Sequence, residues 1–147
     1  MAEAPGAEAL MAIADTNAII VSYLTTSSTK VDPLIALVAS RVYCPRLPEK
    51  ATLPAVGLFT RGGAPNPHIP GILTPSVQFD CWAANSIDAR NVYRKLYDAL
   101  QGIQNVTVGS YQIMSAIEET SGQDLVDVEI PNYFRVLSFF LFMIRAE

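Results

Sequence analysis

The sequence predicts an α+β domain, an antiparallel sheet of about four strands with helices packed on one face, and three observations carry that prediction. Ser76 to Ala83 alternates strictly, with Val77, Phe79, Cys81 and Ala83 on one side and Ser76, Gln78, Asp80 and Trp82 on the other. Residues 85–101 carry Ala89, Val92, Tyr93, Leu96, Ala99 and Leu100 at helical spacing, while Asp88, Arg90, Asn91, Arg94, Lys95, Asp98 and Gln101 face out. Residues 133–144 form a final strand rich in aromatic side chains. The predicted order is helix, helix, strand, strand, helix, strand, strand, the pattern of hairpins covered by helices.

The remaining elements follow in chain order. The first seven residues are expected to be flexible. Residues 8–24 read as a helix with Leu10, Ile13, Ala14, Ala18, Val21 and Leu24 on its inner face, an apolar face that Ile19 and Ile20 broaden. Asp32-Pro33 supplies a helix start, Asp as N-cap and Pro in the first turn, for a short helix carrying Leu34, Leu37 and Val38. Arg41 to Tyr43 is extended, and Pro45, Pro48 and Pro54 interrupt regular structure until a strand at Ala55 to Thr60. Residues 61–75, RGGAPNPHIPGILTP, read as a long, semi-rigid hairpin loop. Asn85 caps the long helix with Asp88 three residues on, and Gly102 sits where a left-handed terminal residue belongs. Tyr111 to Glu119 reads as a strand, followed by a polar turn at Ser121 to Asp124. On the last strand Leu137, Phe139, Leu141 and Met143 share one face; Val136, Phe140, Phe142 and Ile144 share the other. Such a strand is either central and covered twice, or its second face meets another subunit.

Composition bounds the function. The chain has 147 residues, room for one domain. Charged residues make up 16% against roughly 25% in an average soluble domain, so apolar surface is expected to be covered by copies of the chain or by partners. Net charge is −4, and the Lys and Arg residues form no basic stripe of the kind nucleic acid requires. No secretory signal is visible, which leads us to expect synthesis in a reducing compartment. The longest apolar run, Val136 to Ile144, is far below the roughly 20 residues of a membrane helix.

No catalytic, cofactor or metal site is expected. Cys44 and Cys81 lack zinc-ligand spacing, although spacing alone leaves a disulfide between them open. Cys81 with the single histidine, His68, would make a nucleophile and base, but Cys81 lies on the apolar side of its strand and His68 among prolines. Asp80 falls on a polar strand face, and Glu118 and Glu119, being adjacent, point apart. Gly62-Gly63 lacks the flanking residues of a phosphate loop. The proline-stiffened loop is better suited to contact, because it has less entropy to lose on ordering. The expected interface residues are Arg61, Asn66, His68 and Ile69 from this loop, with Phe140 and Phe142 from the last strand.

The segment from Asp32 to Leu100 resembles the tail-completion, or tail-terminator, family of long-tailed bacteriophages. The matching passages are DPLIALV, then RVYCPRLPEKATLPAVGLF, then the loop, then SVQFDCWAANSIDARNVYRKLYDAL. The C-terminal YFRVLSFFLF fits the family's closing strand, whereas residues 8–24 look longer than its pattern requires. The resemblance implies a structural virion protein at the head-proximal end of the tail, assembled in the host cytoplasm. It implies a homo-oligomer, a hexameric ring, contacting the tail tube protein and the head-tail connector. DNA would pass through without sequence-specific binding, and no membrane is involved. A head-completion or neck protein is the alternative within the virion, and a small cysteine-dependent enzyme the alternative outside it.

Overall fold

The computed structural model describes residues 15–44, 52–65, 72–126 and 133–146. Three helices, α1 (Thr16–Thr25), α2 (Asp32–Val38) and α3 (Ser86–Leu100), accompany six strands. These are β1 (Val42–Tyr43), β2 (Ala55–Pro65), β3 (Ile72–Ala83), β4 (Gln104–Val108), β5 (Tyr111–Val126) and β6 (Phe134–Ala146). They form one sheet in the order β1-β2-β3-β6-β5-β4, antiparallel except where β1 runs parallel to β2. The α+β class holds, with six strands rather than about four.

The long helix follows its sequence closely. Asn85 Oδ1 accepts from the Asp88 N–H at 2.8 Å, satisfying one of the donors that a helix start leaves open. The six expected inner residues, Ala89, Val92, Tyr93, Leu96, Ala99 and Leu100, are all buried. At the other end Gly102 takes φ +78, and the buried Tyr23 hydroxyl donates to the Ala99 carbonyl at 2.7 Å. That bond satisfies one of the carbonyls left open in the last turn of α3 and ties α1 to it.

The first helix departs from expectation. Asp15 is extended and caps α1 by accepting from the Ala18 N–H, so a continuous helix over 8–24 is not formed. Residues 1–14, including the segment expected to be flexible, lie outside the described residues. The buried side is Ile19, Ile20, Tyr23 and Leu24, and Ala18 is exposed. The larger apolar side chains take the core, turning the helix away from the predicted face. In α2, Val31 occupies the cap position and Asp32 is the first helical residue, accepting from Ser27 Oγ at 2.7 Å.

The loop predicted over 61–75 is largely strand. β2 continues to Pro65 and β3 begins at Ile72; residues 66–71 are not among those described. Glycine and proline are absorbed by a bulge: between the pairs Thr60–Val77 and Gly63–Pro75, β2 carries one extra residue, and Gly62 takes φ +98. The polar turn predicted at Ser121 to Asp124 is also strand, since β5 runs to Val126 with register shifts after Glu118. At Gly122 the neighbours are close: an added Cβ would lie 2.7 Å from Val136 Cγ1 and 2.9 Å from Tyr93 Cζ. β4 is a strand that the sequence does not predict, because its exposed residues Gln104, Asn105 and Thr107 leave no apolar alternation to see.

The core lies between one sheet face and the helices. Val77, Phe79 and Cys81 of β3 meet Val136, Phe140, Phe142 and Ile144 of β6, with Phe79 edge-on to Phe140 at 5.5 Å between centroids. α3 packs across β3, β6 and β5. α1 touches β1 and β2 toward one side of the sheet and β4 at the other, so the sheet curls around the helices.

Candidate interaction surface

The sheet face turned away from the helices is assembled from alternate residues of its central strands. Strand register lays them in rows: Phe59, Gln78, Phe139 and Thr120; then Ser76, Leu141 and Ile117; then Gly57, Asp80, Leu137 and Gln123. Trp82, Arg135 and Leu125 make a further row. Ile117 and Leu141 are direct cross-strand partners and are 54% and 38% exposed, among the large apolar side chains most open to water. Phe139, Leu137 and Met143 beside them are half-buried. Among the described residues no helix packs over this face.

A polar chain crosses the apolar face. Arg61 Nη1 donates to Gln78 Oε1 at 2.8 Å, and Gln78 Nε2 lies 3.4 Å from both carboxylate oxygens of Asp80. Arg135 Nη1 stands 3.6 Å from Asp80 Oδ1. Each guanidinium also covers a ring, Arg61 over Phe139 at 5.4 Å and Arg135 over Trp82 at 5.3 Å. Asp80 is buried, and this desolvation raises its pKa above the usual carboxylate value although Arg135 and Gln78 pull it down.

The helix side carries a second grouping. Tyr93 donates a short hydrogen bond to Glu118 Oε2, and Ser121 Oγ lies 3.4 Å from Glu118 Oε1. Burial, then the bond to Glu118, pushes the Tyr93 phenol up to about 12. Tyr93, Arg94, Tyr97, Asp98, Glu118 and Ser121 line a cleft of about 420 Å³. Glu119 reaches the opposite side, accepting from Ser76 Oγ at 2.6 Å, so the adjacent glutamates do diverge.

Of the expected interface residues, Arg61 stands exposed on the open face. Asn66, His68 and Ile69 are outside the described residues. Phe140 and Phe142 are corrected: both are wholly buried against Phe79 and the helices, so neither presents surface. The open side of β6 is the other one, Leu137, Phe139, Leu141 and Met143. A signal for this was present, because Arg135 and Arg145 are in phase with those residues and a charged side chain seeks water.

The cysteines do not converge. Cys81 is wholly buried, where desolvation raises its thiol pKa, while Cys44 is exposed, and both are free thiols. A buried, protonated thiol is a poor nucleophile. No group of three or more His, Cys, Asp and Glu side chains suited to a metal occurs among the described residues, and no described helix is long and apolar enough to cross a membrane. No protein-family model matches the chain, and no curated protein matches it.

Proposed function

We propose that the chain is a structural subunit of a bacteriophage tail, a terminator that forms a ring on the head-proximal end of the tail tube. In this role it stops tube polymerisation and offers the head connector a surface. The observation that carries the reading is the open sheet face, where Ile117 and Leu141 lie side by side in water, beside the half-buried Leu137, Phe139 and Met143 of β6. Exposed apolar area of this kind, on a chain poor in charge, is the mark of a surface that another protein covers. The resemblance of residues 32–100 to tail-completion proteins supplies the particular role, and the burial of Cys81 speaks against an enzyme that uses Cys81 as its nucleophile.

Deleting the gene from its phage or prophage tests the proposal. The expected result is overlong tails, restored to normal length by the gene in trans. Normal-length tails detached from heads would refute termination and assign the chain to the neck.

A further inference from the structure

The open face needs a counterpart. Resting on the self-association proposed above, we infer that Arg61 of one copy enters the cleft between Tyr93, Tyr97, Asp98 and Glu118 of the next copy. The cleft is built for a planar cation. Two tyrosine rings form part of its wall, their centroids 6.3 Å apart; Arg90 already lies over Tyr93 at 5.2 Å but is paired with Asp124 at 3.5 Å, so Asp98 and Glu118 against Arg94 leave one negative charge in excess. Arg94 is drawn along the helix, its Nη1 3.5 Å from Asn91 Oδ1. Glu118 is pinned by Tyr93 and Ser121, so it accepts a partner with little ordering left to do.

Arg61 and Arg135 are the cations of the polar chain on the open face. Arg135 leans on Asp80, whereas Arg61 is the more exposed and stands on Phe139 with one N–H on Gln78. A guanidinium has five N–H donors, so that one bond leaves the group able to reach a carboxylate. Arg61 moreover stands on Phe139, whose neighbours on the open side of β6, Leu137 and Leu141, would be buried in the same contact.

The geometry restricts the symmetry. Arg61 lies on the sheet face turned from the helices, and the cleft lies on the helix side of β5. A two-fold dimer cannot bring both Arg61 residues to both clefts at once, because the two patches face opposite ways. The contact is therefore heterologous, each copy using one patch toward each neighbour, which closes as a ring when the rotation between copies permits.

Sedimentation velocity over a concentration series, with thermal unfolding of each protein, tests the contact on wild type, Arg61→Glu, Asp98→Arg and the double variant. Each single change is expected to weaken association at least about tenfold, and the double to recover most of it. Singles that associate like wild type, or a double no better than the singles, overturn the contact. If a charge reversal lowers the unfolding temperature, Arg61→Gln and Asp98→Asn are read in its place under the same criteria. Electron micrographs separate the contact from the ring. Rings that persist in both singles refute this contact and leave the ring; a wild type that stays monomeric and shows no rings refutes both.

Discussion

Replacing Phe142 and Leu141, neighbours on β6, by smaller or charged residues is expected to have opposite consequences. Phe142 is wholly buried, its ring 6.2 Å from Phe79, and its register partner on β5 is the buried Ala116. Phe142→Ala removes a full aromatic side chain from a packed site bordered by α3, and such changes cost about 3–5 kcal/mol. Set against a total stability of roughly 5–15 kcal/mol, this is a large share. For a chain of this size it lowers the melting temperature by roughly 6–20 °C, taking about 2–4 °C per kcal/mol. Leu141 points the other way and is 38% exposed, so Leu141→Asp is expected to change stability by about 0.5 kcal/mol or less. Urea unfolding followed by circular dichroism measures both, and light scattering reports association of the folded proteins. Leu141→Asp should weaken association and leave the unfolding midpoint in place. A Phe142→Ala protein within about 1 kcal/mol of wild type, or a Leu141→Asp protein as unstable as Phe142→Ala, would show that the two faces of β6 have been assigned the wrong way round.

Three further outcomes follow from single contacts. Tyr23→Phe strips the Ala99 carbonyl of a buried donor and should cost about 1–2 kcal/mol in chemical denaturation; a neutral result would mean that the bond does not hold α1 to α3. Ser138 Oγ is buried with no hydrogen-bond partner among the described residues, so Ser138→Ala should raise stability by about 1 kcal/mol, and a loss of that size would count against the assignment. Tyr93 is raised from an unfolded value of 10.0 to about 12, so the folded state holds its proton more tightly. The stability this contributes is fully present below pH 10 and lost as pH climbs through the window up to about 12. Alkaline unfolding midpoints should therefore fall less steeply in Tyr93→Phe than in wild type, and parallel curves would contradict a phenol held up by burial first and by Glu118 second.

The parts of the fold legible in the sequence are those in which local pattern and tertiary role agree. On α3 one stripe of apolar residues, one side-chain cap and one terminal glycine all give the same boundaries. β3 alternates because one of its faces meets the helices and the other does not. Elsewhere distant partners decide. The stretch after Thr60 is full of glycine and proline, yet a bulge lets it pair with β3, and nothing local announces a bulge. Ile19 and Ile20 outrank Ala18 only because the core offers space on their side. On β6 both faces are apolar, and the choice between them rests on where β3 and α3 lie; only the phase of the two arginines hints at it. The candidate surface is the hardest part to read, since Gln78, Asp80, Arg61 and Arg135 come from three strands brought together by register alone.

The position of β6 bears on how the chain folds. It follows every other described strand in the sequence, yet it lies in the middle of the sheet, between β3 and β5. Until it is synthesised, the β2–β3 hairpin and the β4–β5 hairpin are two unjoined halves, each with a bare pairing edge and an apolar side exposed. Joining them requires contacts between residues far apart in sequence, the kind that slow folding. A nascent chain is thus open to pairing with its neighbours on a polysome until β6 leaves the ribosome, and insertion of that one strand seals both edges at once.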